Sequence, residues 1–313
     1  PKNAITDQFI FWVIKYSVIS PMTYQQIGDT YMSHSELLIK IEDLMLYICS
    51  GKCYWKDVQS ELEDYRKKAI EIYDSDIEYS PLLQCYFDLM SIDRSSGLGR
   101  ATNSSRSLFH SKTDFKNFCD ELLDEHDRFI NRHKRQRQRN FRALKDEFED
   151  LLDNHCKLLL VRVDVGYLYE ADTGIRQFDA DLNILRSRIR DRRKCFKGVL
   201  AYSWAIEQGR DKGYHCHFLF IYNGSIHRRD GYYAEEIGKT WMNITQNNGF
   251  YFSCHRKGHK DSYRRQGILG IGMIHRNNND EVKNALNAIS YLARAEKKDQ
   301  YLREKIKGMR CFG

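Results

Sequence analysis

The stretch Gly213-Tyr214-His215-Cys216-His217-Phe218-Leu219-Phe220-Ile221-Tyr222 constrains this chain more than any other. It is a short, aromatic-rich apolar run, and it reads as a β-strand. Residues two apart in a strand point to the same face. His215 and His217 therefore present two imidazoles side by side, while Cys216 and Phe218 turn to the other face. Two adjacent imidazoles are a natural start for a divalent metal site. Read alone, the pair also fits one packed histidine beside a surface one, so its meaning depends on what surrounds it.

The surroundings alternate strands and helices. Leu158 to Tyr169 (LLLVRVDVGYLY) is a strong strand, and Phe178 to Lys194 a helix whose exposed side carries Arg186, Arg188, Arg190, Arg192 and Arg193. Val199 to Glu207 is a second strand. A polar turn, Gln208 to Lys212, joins it to the histidine strand as a β-hairpin. Tyr232 to Thr245 reads as a helix, Gly249 to Cys254 as a short strand, Ile268 to Ile274 as a glycine-rich strand and Asp280 to Lys298 as the last long helix. The order βαββαββα predicts an α+β fold, an antiparallel sheet with helices packed on one face.

Upstream the pattern is helical. Residues 1–92 show apolar helix faces, for example Phe9 to Ile19 and Leu37 to Ile48. Ser95-Ser96-Gly97-Leu98-Gly99 and Thr102-Asn103-Ser104-Ser105 form a turn-rich linker. From Lys112 to Leu152, apolar residues recur at roughly helical spacing, which predicts one long helix or a broken pair. Its middle, Arg132 to Arg139, has no acidic residue and fits a solvated face or a phosphate contact. The expected organisation is an all-α region over 1–110, a basic connecting helix or helix pair over 111–155, and the α+β domain over 156–313.

Charge separates these parts. The formal net charge is +7. Residues 1–150 hold 21 Lys and Arg against 25 Asp and Glu, whereas residues 151–313 hold 29 against 18. The half with the histidine pair thus carries a net +11, which favours a polyanionic partner, most simply nucleic acid. The 9 cysteines have no disulfide-like spacing. No leader-like segment is visible, and no apolar run approaches the ~20 residues of a membrane span. A soluble, cytoplasmic protein with free thiols is expected.

Metal sites rarely stop at two ligands. Glu207 ends the strand before the histidines, and a carboxylate beside imidazoles suits Mg²⁺ or Mn²⁺. It shares their face if it pairs opposite His215, which the turn permits without forcing. Downstream, the predicted helix holds Tyr291 and Arg294 at i and i+3, neighbours on a helix surface. A tyrosine hydroxyl, with a pKa near 10, is a weak nucleophile at neutral pH unless a metal polarises the phosphate it attacks. Cys254, His255 and His259 lack the four-ligand spacing of a zinc site.

Taken in order, a strand, a Glu-bearing strand, a His-hydrophobe-His strand and a late Tyr helix resemble the HUH endonucleases of rolling-circle replication, conjugation and transposition. Residues 156–313 are most similar to the inovirus-type replication proteins, the YagK/YfjJ C-terminal domain family. The residues that carry the resemblance are Val161-Arg162-Val163-Asp164, Glu207, Gly213-Tyr214-His215-Cys216-His217, Ile237-Gly238-Lys239-Thr240-Trp241, Ser290 to Lys297 and Phe312-Gly313. The resemblance implies Glu207, His215 and His217 as metal ligands for Mg²⁺ or Mn²⁺, and Tyr291 as the nucleophile in single-stranded DNA. The family's tyrosine helix usually has Lys three residues after the Tyr; here Arg294 stands there, and Lys297 or Lys298 offers a replacement. Arg keeps the charge but does not shuttle a proton. Tyr301 lies too far along for a paired tyrosine, so a single nucleophile is expected.

On that reading the chain is a phage or mobile-element replication initiator, a strand transferase that nicks an origin or hairpin. Arg186, Arg190, Arg193, Arg256, Lys257 and Lys260 would contact phosphates, and Tyr202 and Trp204 would stack on bases. The helical region would recruit host replication proteins or a second copy. Two rival classes share the same surface: a DNA- or RNA-binding regulatory module with an HUH-like fold and little or no catalysis, and a metal-dependent ribonuclease.

Overall fold

The computed structural model describes residues 32–92, 108–168, 171, 173–209, 213–293 and 301–313. The expected helix Phe9 to Ile19 and the Ser95 to Ser105 linker lie outside them. In chain order the elements are α1 (His34–Tyr47), α2 (Val58–Ile72), β1 (Ile77–Tyr79), α3 (Pro81–Leu89), α4 (Lys112–Asn154), β2 (Lys157–Tyr167), α5 (Ile175–Arg190), β3 (Val199–Gly209), β4 (Gly213–Asn223), α6 (Asp230–Ile244), β5 (Gly249–Ser253), α7 (Lys257–Arg265), β6 (Gly272–His275), α8 (Asn279–Leu292) and β7 (Glu304–Ile306). Among the described residues no helix is long and apolar enough to cross a membrane.

The architecture is α+β, as the sequence predicts. Strands β3, β4, β2 and β5 lie in that order, all antiparallel, and β6 pairs with the same edge of β2 as β5 does. The segment read as one helix or two is a single helix, α4, of 43 residues. The Ser111 side chain caps it by accepting from the Asp114 N–H, and Asp114 adds negative charge to its first turn.

Helices cover both faces of the sheet, not one. Val161, Val163 and Val165 of β2, with Cys216, Phe218 and Phe220 of β4, pack against Phe178, Leu182 and Leu185 of α5 and Ile237 and Trp241 of α6. The alternate residues Leu158, Leu160, Leu219 and Ile221 pack against Leu144, Phe148 and Leu152 of α4 and Ile289 and Leu292 of α8. Strands buried on both sides read as nearly continuous apolar runs, and such runs say nothing about which face a given helix takes.

The last helix ends at Leu292 with Ala293 as its cap, short of the expected Lys298; residues 294–300 lie outside the described set. The strand expected over Ile268 to Ile274 is confined to Gly272–His275, and the segment before it contains a helix, α7, that the sequence pattern did not predict. Its residues are KGHKDSYRR, none of them buried, so no apolar stripe announces it.

A small second sheet joins the early helices to the late chain. β1 pairs antiparallel with β7, Ile77 opposite Ile306. Residues 311–313 hydrogen-bond along the outer edge of β3, with the Trp204 N–H donating to the Gly313 carbonyl at 2.7 Å and the Ile206 N–H to that of Cys311 at 2.9 Å.

Candidate metal centre

The hairpin register decides the site. Gly209 pairs with Gly213 across the turn, and this places Glu207 directly opposite His215 and Ala205 opposite His217. Directly opposed residues share a face, so the carboxylate stands beside both imidazoles. One ligand atom from each of Glu207, His215 and His217 lies within 4.8 Å of the others, and all three residues are buried. These residues can hold a metal ion. His217 Nε2 is 3.1 Å and His215 Nε2 3.6 Å from Glu207 Oε2.

The other nitrogen of each ring is committed. His215 Nδ1 is 3.2 Å from the Gly213 carbonyl, which can only accept, so Nδ1 carries the proton and Nε2 presents its lone pair. Gly213 reaches this position with φ +58°, a conformation that favours glycine. His217 Nδ1 donates to Asp164 Oδ1 at 2.7 Å. Asp164 lies directly across from His217 on β2. A carboxylate behind a ligand imidazole fixes its tautomer and raises its basicity. The donor set therefore fits a divalent cation through two Nε2 atoms and one carboxylate.

Electrostatics agree. Burial disfavours the charged form of both imidazoles, and at His215 it prevails, so that pKa is lowered. At His217 the Asp164 and Glu207 carboxylates outweigh burial and the pKa is raised. Burial would also raise Asp164, but the Arg162 guanidinium and His217 hold it well below the usual carboxylate range. Two carboxylates flanking one imidazole call for positive charge between them, which a proton or a divalent cation supplies. An Asp164→Asn variant is expected to lose about 10- to 100-fold in Mn²⁺ affinity by titration calorimetry; unchanged affinity would remove Asp164 from the centre.

Tyr291 reaches the same place from α8. Its ring centroid is 6.2 Å from that of His217, in an edge arrangement. The Arg162 guanidinium lies 4.4 Å from the Tyr291 ring centre and bonds Asp164 Oδ1 at 3.3 Å. Arg162 thus ties the tyrosine to the carboxylate that orients His217. Sequence reasoning assigned no role to Arg162 or Asp164. Their signal was present: two charged residues at i and i+2, on one face of a strand that is otherwise apolar.

A family model for the YagK/YfjJ C-terminal domain matches residues 119–313, more than half of the chain. The chain belongs to that family. The family region opens inside α4 and includes the metal-type group, Tyr291 and the whole main sheet, whereas α1 to α3 precede it. No curated protein and no solved structure matches the chain.

The remaining expected residues are scattered. Arg294 and Lys297 lie outside the described residues. Arg186 belongs to α5, on the sheet face opposite the metal centre, where it pairs with Asp179 at 3.1 Å and stacks on Trp204 at 4.4 Å. Arg190 and Arg193 are exposed, and Arg193 pairs with Asp191. Trp204 is buried in the α5–α6 core, so it is not placed as a base-stacking platform; Tyr202 packs against the same core and is partly exposed. Arg256 and Lys257 are exposed at the start of α7, but Lys260 pairs with Asp230. Cys254, His255 and His259 do not converge as metal ligands; His255 bridges instead, accepting from the Arg162 backbone N–H at 2.9 Å and donating to Asp230 at 2.7 Å.

Proposed function

We propose that this protein is an HUH-type endonuclease that nicks and rejoins single-stranded DNA, as a rolling-circle replication initiator of a phage or other mobile element. The observation that carries this reading is the pairing of one buried Glu-His-His group with one helix-borne tyrosine, His217 and Tyr291 being 6.2 Å apart between ring centres. Glu207, His215 and His217 would hold Mg²⁺ or Mn²⁺. When bound, such a cation polarises a phosphate oxygen and offsets charge that develops on the phosphorus centre.

The chain's own residues supply the rest. The Tyr291 hydroxyl gives up its proton to solvent as its oxygen forms a bond to phosphorus, and the bond from phosphorus to the 3′ oxygen breaks. The 3′ oxygen leaves and takes a proton, which produces a 5′-phosphotyrosyl link and a free 3′ hydroxyl. The phosphodiester is exchanged rather than hydrolysed, so a later 3′ hydroxyl can reverse the step and rejoin strands. Arg162 holds the tyrosine ring by its face, and Asp164 holds His217 in the tautomer that leaves Nε2 outward. The net +11 charge of residues 151–313 supports a nucleic-acid substrate.

Incubation with single-stranded oligonucleotides and Mn²⁺ tests the reading. The expected result is a protein–DNA adduct resistant to denaturation, with the DNA attached through its 5′ phosphate and dependent on the metal. Cleavage without an adduct, or cleavage of RNA alone, would overturn it in favour of a hydrolytic nuclease. Binding with no cleavage under either metal would favour a regulatory module.

A further inference from the structure

The edge of β2 next to the metal centre is interrupted. β5 pairs with β2 from Val163 to Tyr167 and β6 from Lys157 to Leu160. Between them, at Arg162, the backbone N–H goes to His255 instead of to a strand. The chain between β5 and β6 leaves the sheet here and forms α7. Asp230 on α6 anchors this excursion through His255 and Lys260. α7 therefore stands at the open edge of the site rather than in the core, and none of its residues is fully buried.

The excursion carries a row of rings that starts at the centre. Phe252 lies directly across β5–β2 from Asp164 and so shares its face. The Phe252 ring meets His259 at 5.4 Å, and His259 meets Tyr263 at 4.6 Å. All three are partly exposed. The Arg256 guanidinium sits 5.7 Å from the Phe252 ring centre, and Lys257 is exposed beside it. Burial pushes the Tyr263 hydroxyl up to about 12, and Tyr291 and Asp164 are among the groups that act on it, which places Tyr263 within electrostatic reach of the centre.

From this arrangement we infer that Phe252 and Tyr263, with Arg256 and Lys257, form a platform that holds unpaired nucleotides of single-stranded DNA next to the phosphate engaged by Tyr291. The inference rests on the function proposed above and names where its substrate lies. Rings interleaved with cations suit a single strand: every base has a π-face, and each phosphate is met by a charge. A duplex hides its base faces and gains only the electrostatic part. Neither Arg186 nor Trp204 can serve here, since both belong to the far side of the sheet.

The test is anisotropy of a labelled single strand with the full-length protein in EDTA, which separates binding from chemistry. Tyr263→Ala is expected to weaken single-strand binding about tenfold, while Tyr263→Phe, which keeps the ring, binds as the unaltered protein does. Arg256→Ala with Lys257→Ala is expected to flatten the slope of log affinity against log salt by roughly 1.4 for a single strand. The duplex of the same sequence is expected to be insensitive to Tyr263→Ala. Equal binding by Tyr263→Ala and the unaltered protein, while metal-dependent adduct formation persists, overturns the platform and leaves the nicking activity standing. Weakened binding by Tyr263→Ala without any adduct in the unaltered protein supports the platform and overturns the nicking. Loss of binding by Tyr263→Phe as well as Tyr263→Ala overturns the stacking role.

Discussion

A Tyr291→Phe protein is expected to bind Mn²⁺ as tightly as the unaltered chain and to form no covalent adduct with single-stranded DNA. The two halves of this expectation come from different parts of the structure. Metal affinity depends on Glu207, His215 and His217, whose ligand atoms lie within 4.8 Å of one another. The Tyr291 ring meets that of His217 in an edge arrangement, 6.2 Å between centroids, and removal of its hydroxyl leaves the ring over Arg162 in place. On the proposed reading, the chemistry depends on the oxygen alone. Loss of a nucleophile typically removes at least about 10³-fold of rate, and no other tyrosine of the last helix can replace it, because none lies within Asn279–Leu292. Titration calorimetry reads the first half and a denaturing gel the second. An adduct that survives in Tyr291→Phe would move the nucleophile elsewhere. Lost metal affinity would mean that the hydroxyl takes part in the donor set.

The sequence made some of this site visible and hid the rest for identifiable reasons. The shared face of His215 and His217 follows from strand period alone. The place of Glu207 does not, because a one-residue change of register would send it to the other face; pairing of Gly209 with Gly213 settles it. Asp164 is harder still. It supports His217 only because β2 and β4 are neighbours in a register that no local pattern encodes. The pattern does not show α7 because local helix signals depend on an apolar stripe, and no residue of this helix is fully buried. β1 and β7, with three residues each, are too short to show any period. The apolar runs of β2 and β4 predicted a sheet but not that α4 and α8 would close its second face. That second face carries the candidate metal centre, since apolar positions Leu158 and Leu160 give way along β2 to Arg162 and Asp164, and Leu219 and Ile221 along β4 to His217 and His215.

Glu42→Ala is expected to destabilise the fold by about 3–5 kcal/mol and to weaken the metal site, although Glu42 lies outside the family-matched region. Glu42, on α1, accepts from Arg303 Nε at 2.6 Å and from the Ser80 hydroxyl at 2.8 Å. The side chains of Arg303 and Glu42 are only 2 % and 3 % exposed. Loss of the carboxylate would take a counter-charge from a buried guanidinium, which costs more than the pair itself contributes. Arg303 also passes the contact on. Its backbone N–H donates to Gln208 Oε1 at 2.9 Å, and Gln208 Nε2 donates to the Ser35 hydroxyl at 2.8 Å. Gln208 follows Glu207 directly, and Tyr214, which precedes His215, donates to Glu304 at 2.5 Å. The hairpin end that carries two of the three ligands is therefore braced by α1 and by residues 303–304. Denaturant unfolding measures the first effect and Mn²⁺ titration under native conditions the second. Glu42→Ala combined with Arg303→Met removes both charges and should recover much of the lost stability. A loss below about 1 kcal/mol for Glu42→Ala would place this pair among weak surface bridges. A normal Mn²⁺ affinity in a folded Glu42→Ala protein would show that the hairpin keeps its ligand geometry without the brace.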